Sequence, residues 1–212
     1  MRITLLDNHD SFTWNLAHDL ERGGSEVRVV RGGTWRATDW DLTDALVLSP
    51  GPGLPQAHAQ LMDVVAEAVG RAVPTLGVCL GMQALACHFG GKLLNLEAPL
   101  HGRVTQLCWN HDVPKPAPWQ GLWQGLPDPM HVGHYHSWVV DDACLPEGLH
   151  VNARNESGLP MALVHASLPV AGVQFHPESV LTPHGRQLLH DWVAAAQRSL
   201  SISASKVSLN FS

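Results

Sequence analysis

The stretch Thr75-Leu76-Gly77-Val78-Cys79-Leu80-Gly81-Met82-Gln83-Ala84 carries the residue types best suited to chemistry. An apolar run ends on a cysteine set between two glycines, and helix-forming residues follow at once. This is the strand–turn–helix pattern of a nucleophile elbow, with Cys where G-x-S-x-G hydrolases carry Ser. The glycines permit a tight, strained turn. A cysteine there opens a helix, where the positive end of the dipole and the free N–H groups attract negative charge. The same N–H groups can hold a developing oxyanion. The chemistry implied is acyl transfer through a thioester. Taken alone, G-x-C-x-G fits a buried packing cysteine equally well.

A second constellation is Gly172-Val173-Gln174-Phe175-His176-Pro177-Glu178-Ser179. A buried-type strand delivers His176, then Glu178, into a loop opened by Pro177. A thiol nucleophile needs a base to take its proton and return it to the leaving group, and the base needs a third group to orient it. His176 and Glu178 suit those parts if the two strand ends are neighbours in space; a surface turn is the alternative. A third is Ser49-Pro50-Gly51-Pro52-Gly53, a stiff loop whose N–H groups can approach a substrate closely, or else a plain exposed turn.

The elements that would position these groups alternate. Strands are expected at Ile3–Leu6, Glu26–Val30, Ala45–Leu48 and Val73–Val78. Helices are expected from Phe12 to about Arg22, from Leu61 to about Val69, and over Leu80–Phe89. This βαβαβ order implies an α/β fold with a mostly parallel central sheet flanked by helices, and reactive groups beyond the carboxyl ends of the strands. From Lys92 to about Gly172 the texture changes. Short β-like pieces (Val104–Trp109, Trp138–Val140, Met161–His165) among Pro- and Gly-rich turns read as added antiparallel strands. Val170–Phe175 is a further strand and His184 to about Gln197 a last helix. One domain is expected over residues 1–197, with 198–212 a flexible Ser-rich tail.

The chain has 212 residues, 45% hydrophobic and 15% charged, enough for one domain with a substantial core. A net charge of −6 without a basic stripe argues against a nucleic-acid partner. No apolar run approaches membrane-spanning length. Asp7 interrupts the N-terminal apolar run too early for an export signal. Cys79, Cys87, Cys108 and Cys144 show no C-x-x-C spacing and read as reduced thiols, so a cytoplasmic location is expected.

Five segments in order then resemble one family: Leu6–Leu16 (LDNHDSFTWNL), Ser49–Gly53, Gly77–Ala84, Tyr135-His136-Ser137 and Gln174–Ser179. They are similar to the class I, triad-type glutamine amidotransferases, and within them to the glutaminase subunit of anthranilate synthase and aminodeoxychorismate synthase. The resemblance runs from Ile3 to about Val193 and implies a flavodoxin-like α/β fold. It implies that Cys79 attacks the glutamine side-chain amide, His176 serves as base and acid, and Glu178 orients it. It gives the oxyanion hole to the backbone N–H groups of Gly51 and Leu80, and glutamine binding to Gly51, Pro52, Gly53, Gln83, Ser137 and Trp138. Ammonia would pass to a separate chorismate-binding synthase subunit, component I. Asn8, Asp10, Ser11 and His101-Gly102 fall in segments that lie toward that partner in relatives. No cofactor is implied for this chain; a Mg²⁺ requirement is expected only in the synthase. Two departures stand out: Met82 where many relatives carry His, and Trp138 in place of the commoner Leu.

Other readings compete. The run His131-Val132-Gly133-His134-Tyr135-His136 could surround Zn²⁺, but no acidic or Cys ligand lies nearby to complete a site, so no metal is expected. Trp109, Trp119 and Trp123 suit packing under long loops, with subunit contact the minority reading. A free-standing γ-glutamyl hydrolase would use the same Cys79, His176 and Glu178, and a non-catalytic binding subunit would need none of them. Between the two synthases, anthranilate synthase is preferred by a small margin.

Overall fold

The computed structural model describes the backbone of residues 1–209 and the side chains of residues 1–202. One nine-stranded mixed sheet runs through it, with helices on both faces. Five strands are parallel: β1 (Arg2–Asp7), β2 (Glu26–Arg31), β3 (Ala45–Leu48), β4 (Thr75–Val78) and β9 (Val170–Val173). They lie in the order β2-β1-β3-β4-β9. Counted along the chain this is 2-1-3-4-5, the doubly wound order of flavodoxin-like sheets. Antiparallel β8 (Pro160–His165), β7 (Leu149–Asn155), β5 (Leu93–Trp109) and β6 (Met130–Val140) extend the sheet beyond β9.

Strands β1, β3, β4 and β9 are buried on both faces, which is why they read as apolar runs, whereas edge strand β2 fully buries only Val30. Period-two geometry splits their side chains between two cores. Ala45 and Val47 join Ile3, Leu5, Leu76 and Val78 on one face, under α1 (Thr13–Arg22) and α4 (Gly185–Leu209). Leu46 and Leu48 join Leu6 and Val30 on the other, under α2 (Leu61–Gly70) and α3 (Leu80–His88). The first core also holds Trp119, Trp123 and Trp192, all fully buried. The indole N–H of Trp123 donates to the Leu188 carbonyl at 3.1 Å and that of Trp119 to the Ser199 hydroxyl at 2.8 Å. These tryptophans therefore pack the middle of the chain onto α4, and no partner can reach them.

Three expectations need correction. Residues 93–103 and 130–137 belong to long strands, where only Val104–Trp109 and Trp138–Val140 were expected, and β7 was not expected at all. β5 is exposed along most of its length and carries Pro99 and Gly102, so it lacks the apolar periodicity that reveals a strand. Its pairing with β6 shifts register between Asn95 and Leu100, and again between His101 and Arg103. At the other end, α4 does not stop near Gln197; the part of the expected tail from Arg198 to Leu209 is helical. The Ser199 and Ser201 hydroxyls donate one turn back, to the Ala195 and Gln197 carbonyls. The Arg198 guanidinium reaches the Pro118 carbonyl at 2.9 Å. Residues 210–212 of that tail lie outside the described residues.

Candidate active site

Cys79 sits at the junction of β4 and α3 with φ 52° and ψ −104°, a conformation costing about 1–3 kcal/mol that the surroundings must hold. Its N–H donates to the Val173 carbonyl at 2.7 Å, which pins the elbow to β9. The flanking glycines are required by space. A Cβ on Gly77 would strike the Gly81 backbone, and one on Gly81 would strike the Leu48 carbonyl. The start of α3 can therefore press against the ends of β3 and β4 only with glycine at both positions.

The chain beyond β9 brings His176 and Glu178 to the same end of the sheet. The His176 N–H donates to the Gly133 carbonyl at 3.0 Å, and the Thr182 hydroxyl donates to the His176 carbonyl at 2.7 Å. Thr182 also accepts from the Gly133 N–H at 3.0 Å, tying this loop to β6. His176 Nδ1 donates to Glu178 Oε1 at 2.7 Å, and both side chains are buried. Nδ1 therefore carries a proton, and Nε2 is the ring nitrogen available to the Cys79 thiol. Burial opposes a charge on His176. The neighbouring Cys79 sulfur and then Glu178 outweigh it, pushing the His176 pKa up to about 10. Near neutrality the ring therefore holds a proton on Nε2 as well as on Nδ1, the proton it can give to a leaving group.

A cavity of about 350 Å³ opens in front of Cys79. Gly51, Pro52, Gly53, Gln83, Ser137 and Trp138 line it, together with His101, Tyr135 and His136. The size suits a free amino acid. The Gln83 amide nitrogen donates to the Trp138 carbonyl at 2.8 Å and to Gln174 Oε1 at 3.2 Å. Gln174 in turn donates to the Cys79 sulfur at 3.5 Å. The motif Gln174–Ser179 by itself gives Gln174 no part, and only the folded chain shows it reaching the thiol. Leu80, whose backbone N–H opens α3, lies against Gly51: a Cβ on Gly51 would sit 2.6 Å from its Cδ2.

The remaining candidates fall elsewhere. Asn8 is fully buried and donates to the Ser49 carbonyl at 3.0 Å, so its side chain does not face a partner, whereas Ser11, His101 and Gly102 are exposed. Met82 points into the core, where a Cβ on Gly172 would meet its Cγ at 2.7 Å. The histidine run does not converge on one point. His131 contacts Gln106, while His134 and His136 bond each other at 3.2 Å and His134 reaches the Thr105 hydroxyl at 2.8 Å. Among the described residues no three His, Cys, Asp or Glu side chains form a metal-type cluster.

Comparison with known proteins assigns the chain to a family. The family model for glutamine amidotransferase class-I matches residues 4–196. The chain belongs to that family. Anthranilate synthase component 2 of Azospirillum brasilense is 37% identical to this amidotransferase over 198 residues, 92% of the chain and 97% of the relative. Aminodeoxychorismate synthase component 2 of Escherichia coli is 38% identical over 193 residues, 90% of the chain and 98% of the relative. Anthranilate synthase component 2 of Mycobacterium tuberculosis is 39% identical over 197 residues, 91% and 82% respectively. A glutamine amidotransferase structure from Thermotoga maritima superposes with TM-score 0.74 at 14% identity, covering 94% of this chain and 97% of its own, which shows the shared fold. No helix among the described residues is long and apolar enough to cross a membrane.

Proposed function

We propose that this amidotransferase hydrolyses L-glutamine through a Cys79 thioester and supplies the ammonia to a chorismate-using synthase, anthranilate synthase in preference. The observation that carries the reading is the convergence of the buried His176–Glu178 pair on Cys79, which sits at a strained helix start and opens onto an amino-acid-sized cavity. In acylation the Cys79 sulfur, its proton already held by His176, attacks the side-chain amide carbon of glutamine. The backbone N–H groups of Gly51 and Leu80 receive the oxyanion. His176 returns the proton to the amide nitrogen as the C–N bond breaks, releasing ammonia. Water then attacks the thioester with His176 as base, and glutamate leaves. Glu178 holds the imidazole in the required tautomer throughout. The free cysteines fit a reducing, cytoplasmic setting. None of these steps draws on a metal, and the Mg²⁺ requirement is assigned to the synthase.

Aminodeoxychorismate synthase is the second reading, because a component 2 of that name is as similar as those of anthranilate synthase. The deciding experiment measures glutamine hydrolysis by the chain alone and with each synthase subunit plus chorismate, identifying the aromatic product. Weak hydrolysis alone, raised by one synthase with anthranilate as product, is expected. Absence of hydrolysis with either subunit would refute the reading. Turnover of γ-glutamyl peptides by the lone chain at full rate would point to a free-standing hydrolase.

A further inference from the structure

The loop Ser49–Gly53 presents Gly51 to the cavity, yet Pro50, Gly51, Pro52 and Gly53 offer no side-chain group with which to hold themselves. Three side chains do so instead. The Ser49 hydroxyl, fully buried, accepts the Asn8 N–H at 2.8 Å and donates to the Pro50 carbonyl at 2.7 Å. The Asn8 amide donates to the Ser49 carbonyl at 3.0 Å. On the outer side, His58 Nε2 lies 2.6 Å from the Pro52 carbonyl. A carbonyl can only accept, so Nε2 carries the proton. Asn8 directly follows β1 and Ser49 directly follows β3, so the two contacts between them close the gap where the winding of the parallel sheet reverses.

In a trans peptide the carbonyl of one residue and the N–H of the next point opposite ways in one plane. The Pro50–Gly51 and Pro52–Gly53 bonds are both trans. Fixing the Pro50 carbonyl therefore fixes the direction of the Gly51 N–H, and fixing the Pro52 carbonyl sets the plane that carries the Gly53 N–H. The Gly51 N–H has no acceptor among the described residues. We propose that Asn8, Ser49 and His58 are positioning residues for the oxyanion hole, holding the peptide planes of the loop so that the Gly51 N–H stays aimed at the carbonyl under attack. This rests on the thioester reading above. None of the three touches the substrate; each acts through the loop. Gly53, at φ 73°, and exposed Pro52 leave the outer half of the loop little else to restrain it.

The test uses the chain with its synthase partner and three variants: Ser49→Ala, His58→Ala and His58→Gln. Loss of a whole oxyanion donor costs about 10²–10³ in kcat, so a misaimed donor in Ser49→Ala is expected to lower kcat about 10- to 100-fold with KM within about threefold. His58→Ala, on the outer side of the loop, is expected to lose about three- to tenfold in kcat, with Gln restoring most of it by donating from the same reach. Two probes of Cys79 separate aiming from general damage. Glutamate γ-semialdehyde forms a tetrahedral adduct that needs the oxyanion hole, and its affinity should fall in step with kcat. Iodoacetamide alkylation, followed on the Cys79 peptide by mass spectrometry, needs no such hole and should stay within about twofold of the unsubstituted rate. Unchanged kcat and aldehyde affinity in Ser49→Ala and His58→Ala would overturn the proposal, as would alkylation falling in parallel with them. If the unsubstituted chain neither hydrolyses glutamine nor binds the aldehyde, the thioester reading fails first and this proposal with it.

Discussion

At the scale of single residues, the site is a division of labour between groups of unlike chemistry. Removing the nucleophile should remove the reaction: Cys79→Ala is expected to abolish glutamine-dependent synthesis, while ammonia-dependent synthesis by the partner persists. His176→Ala should lower turnover about 10²–10⁴-fold, the usual contribution of a positioned acid–base group. Glu178→Gln keeps the volume and one acceptor but removes the charge facing Nδ1, and should cost less than His176→Ala because it acts on the base alone. Steady-state rates of glutamate release by the three variants check this order. Equal losses for Glu178→Gln and His176→Ala would mean that Glu178 does more than orient. These three residues were legible in the sequence, because each stands within two positions of glycine or proline in a motif whose spacing carries chemistry. Gln174 was not, since an amide at the end of an apolar strand announces no partner until the fold supplies one.

At the scale of elements, two glycines decide whether the elbow can exist. Gly81→Ala would drive a methyl group into the Leu48 carbonyl, which is backbone and cannot swing away. Overpacking of this kind costs about 1–3 kcal/mol, and here it would also push α3 off the sheet and carry Cys79 with it. The expected outcome is a lowered Tm together with slower alkylation of Cys79, read by thermal melts and mass spectrometry. Trp123 gives the opposite case, a large side chain that does not line the cavity. It is fully buried, 5.4 Å from the Trp109 ring, and bonded to α4 through Leu188. Trp123→Ala should destabilise by about 3–5 kcal/mol, measured by denaturant unfolding. The inner parallel strands were readable as apolar runs because both their faces are buried, and α1 and α2 by their helical periodicity, while α3, buried nearly all round, was marked by its bounding glycines. The β5–β6 arm was not, because exposure removes the pattern and bulges break it.

At the scale of the whole molecule, buried histidines make stability depend on pH in two directions. Burial, together with the charge of neighbouring His176, lowers His134 from 6.5 to about 4; burial, His134 and His176 lower His136 to about 3. Below pH 6.5 the unfolded chain protonates both rings before the folded chain does, so acidification toward pH 4 favours unfolding. His176 has the opposite sign. Its folded pKa is raised to about 10, so its contribution is complete below 6.5 and is lost as pH rises from there through about 10. Tm should therefore decline on both sides of neutrality. His134→Gln should flatten the acid limb and leave the alkaline limb in place, as thermal melts across that range would show. An acid limb as steep in His134→Gln as in the unsubstituted chain would contradict this.

The sequence by itself determined the parallel half of the sheet, the elbow at Cys79, the loop at Ser49–Gly53 and the residue types of the triad. Local spacing is enough for these, because glycine, proline and apolar runs constrain the backbone over a few residues. Only the tertiary structure decided which distant segments meet. It set β9 beside β4, so that Val173 receives the Cys79 N–H and His176 follows at the same sheet end. It also buried Asn8 against Ser49, at the gap between β1 and β3. The same fold carried α4 past Gln197, where Arg198 and Ser199 find partners at Pro118 and Trp119. Such pairings join residues tens of positions apart, and they depend on strand order and crossover hand, which no short window of sequence contains.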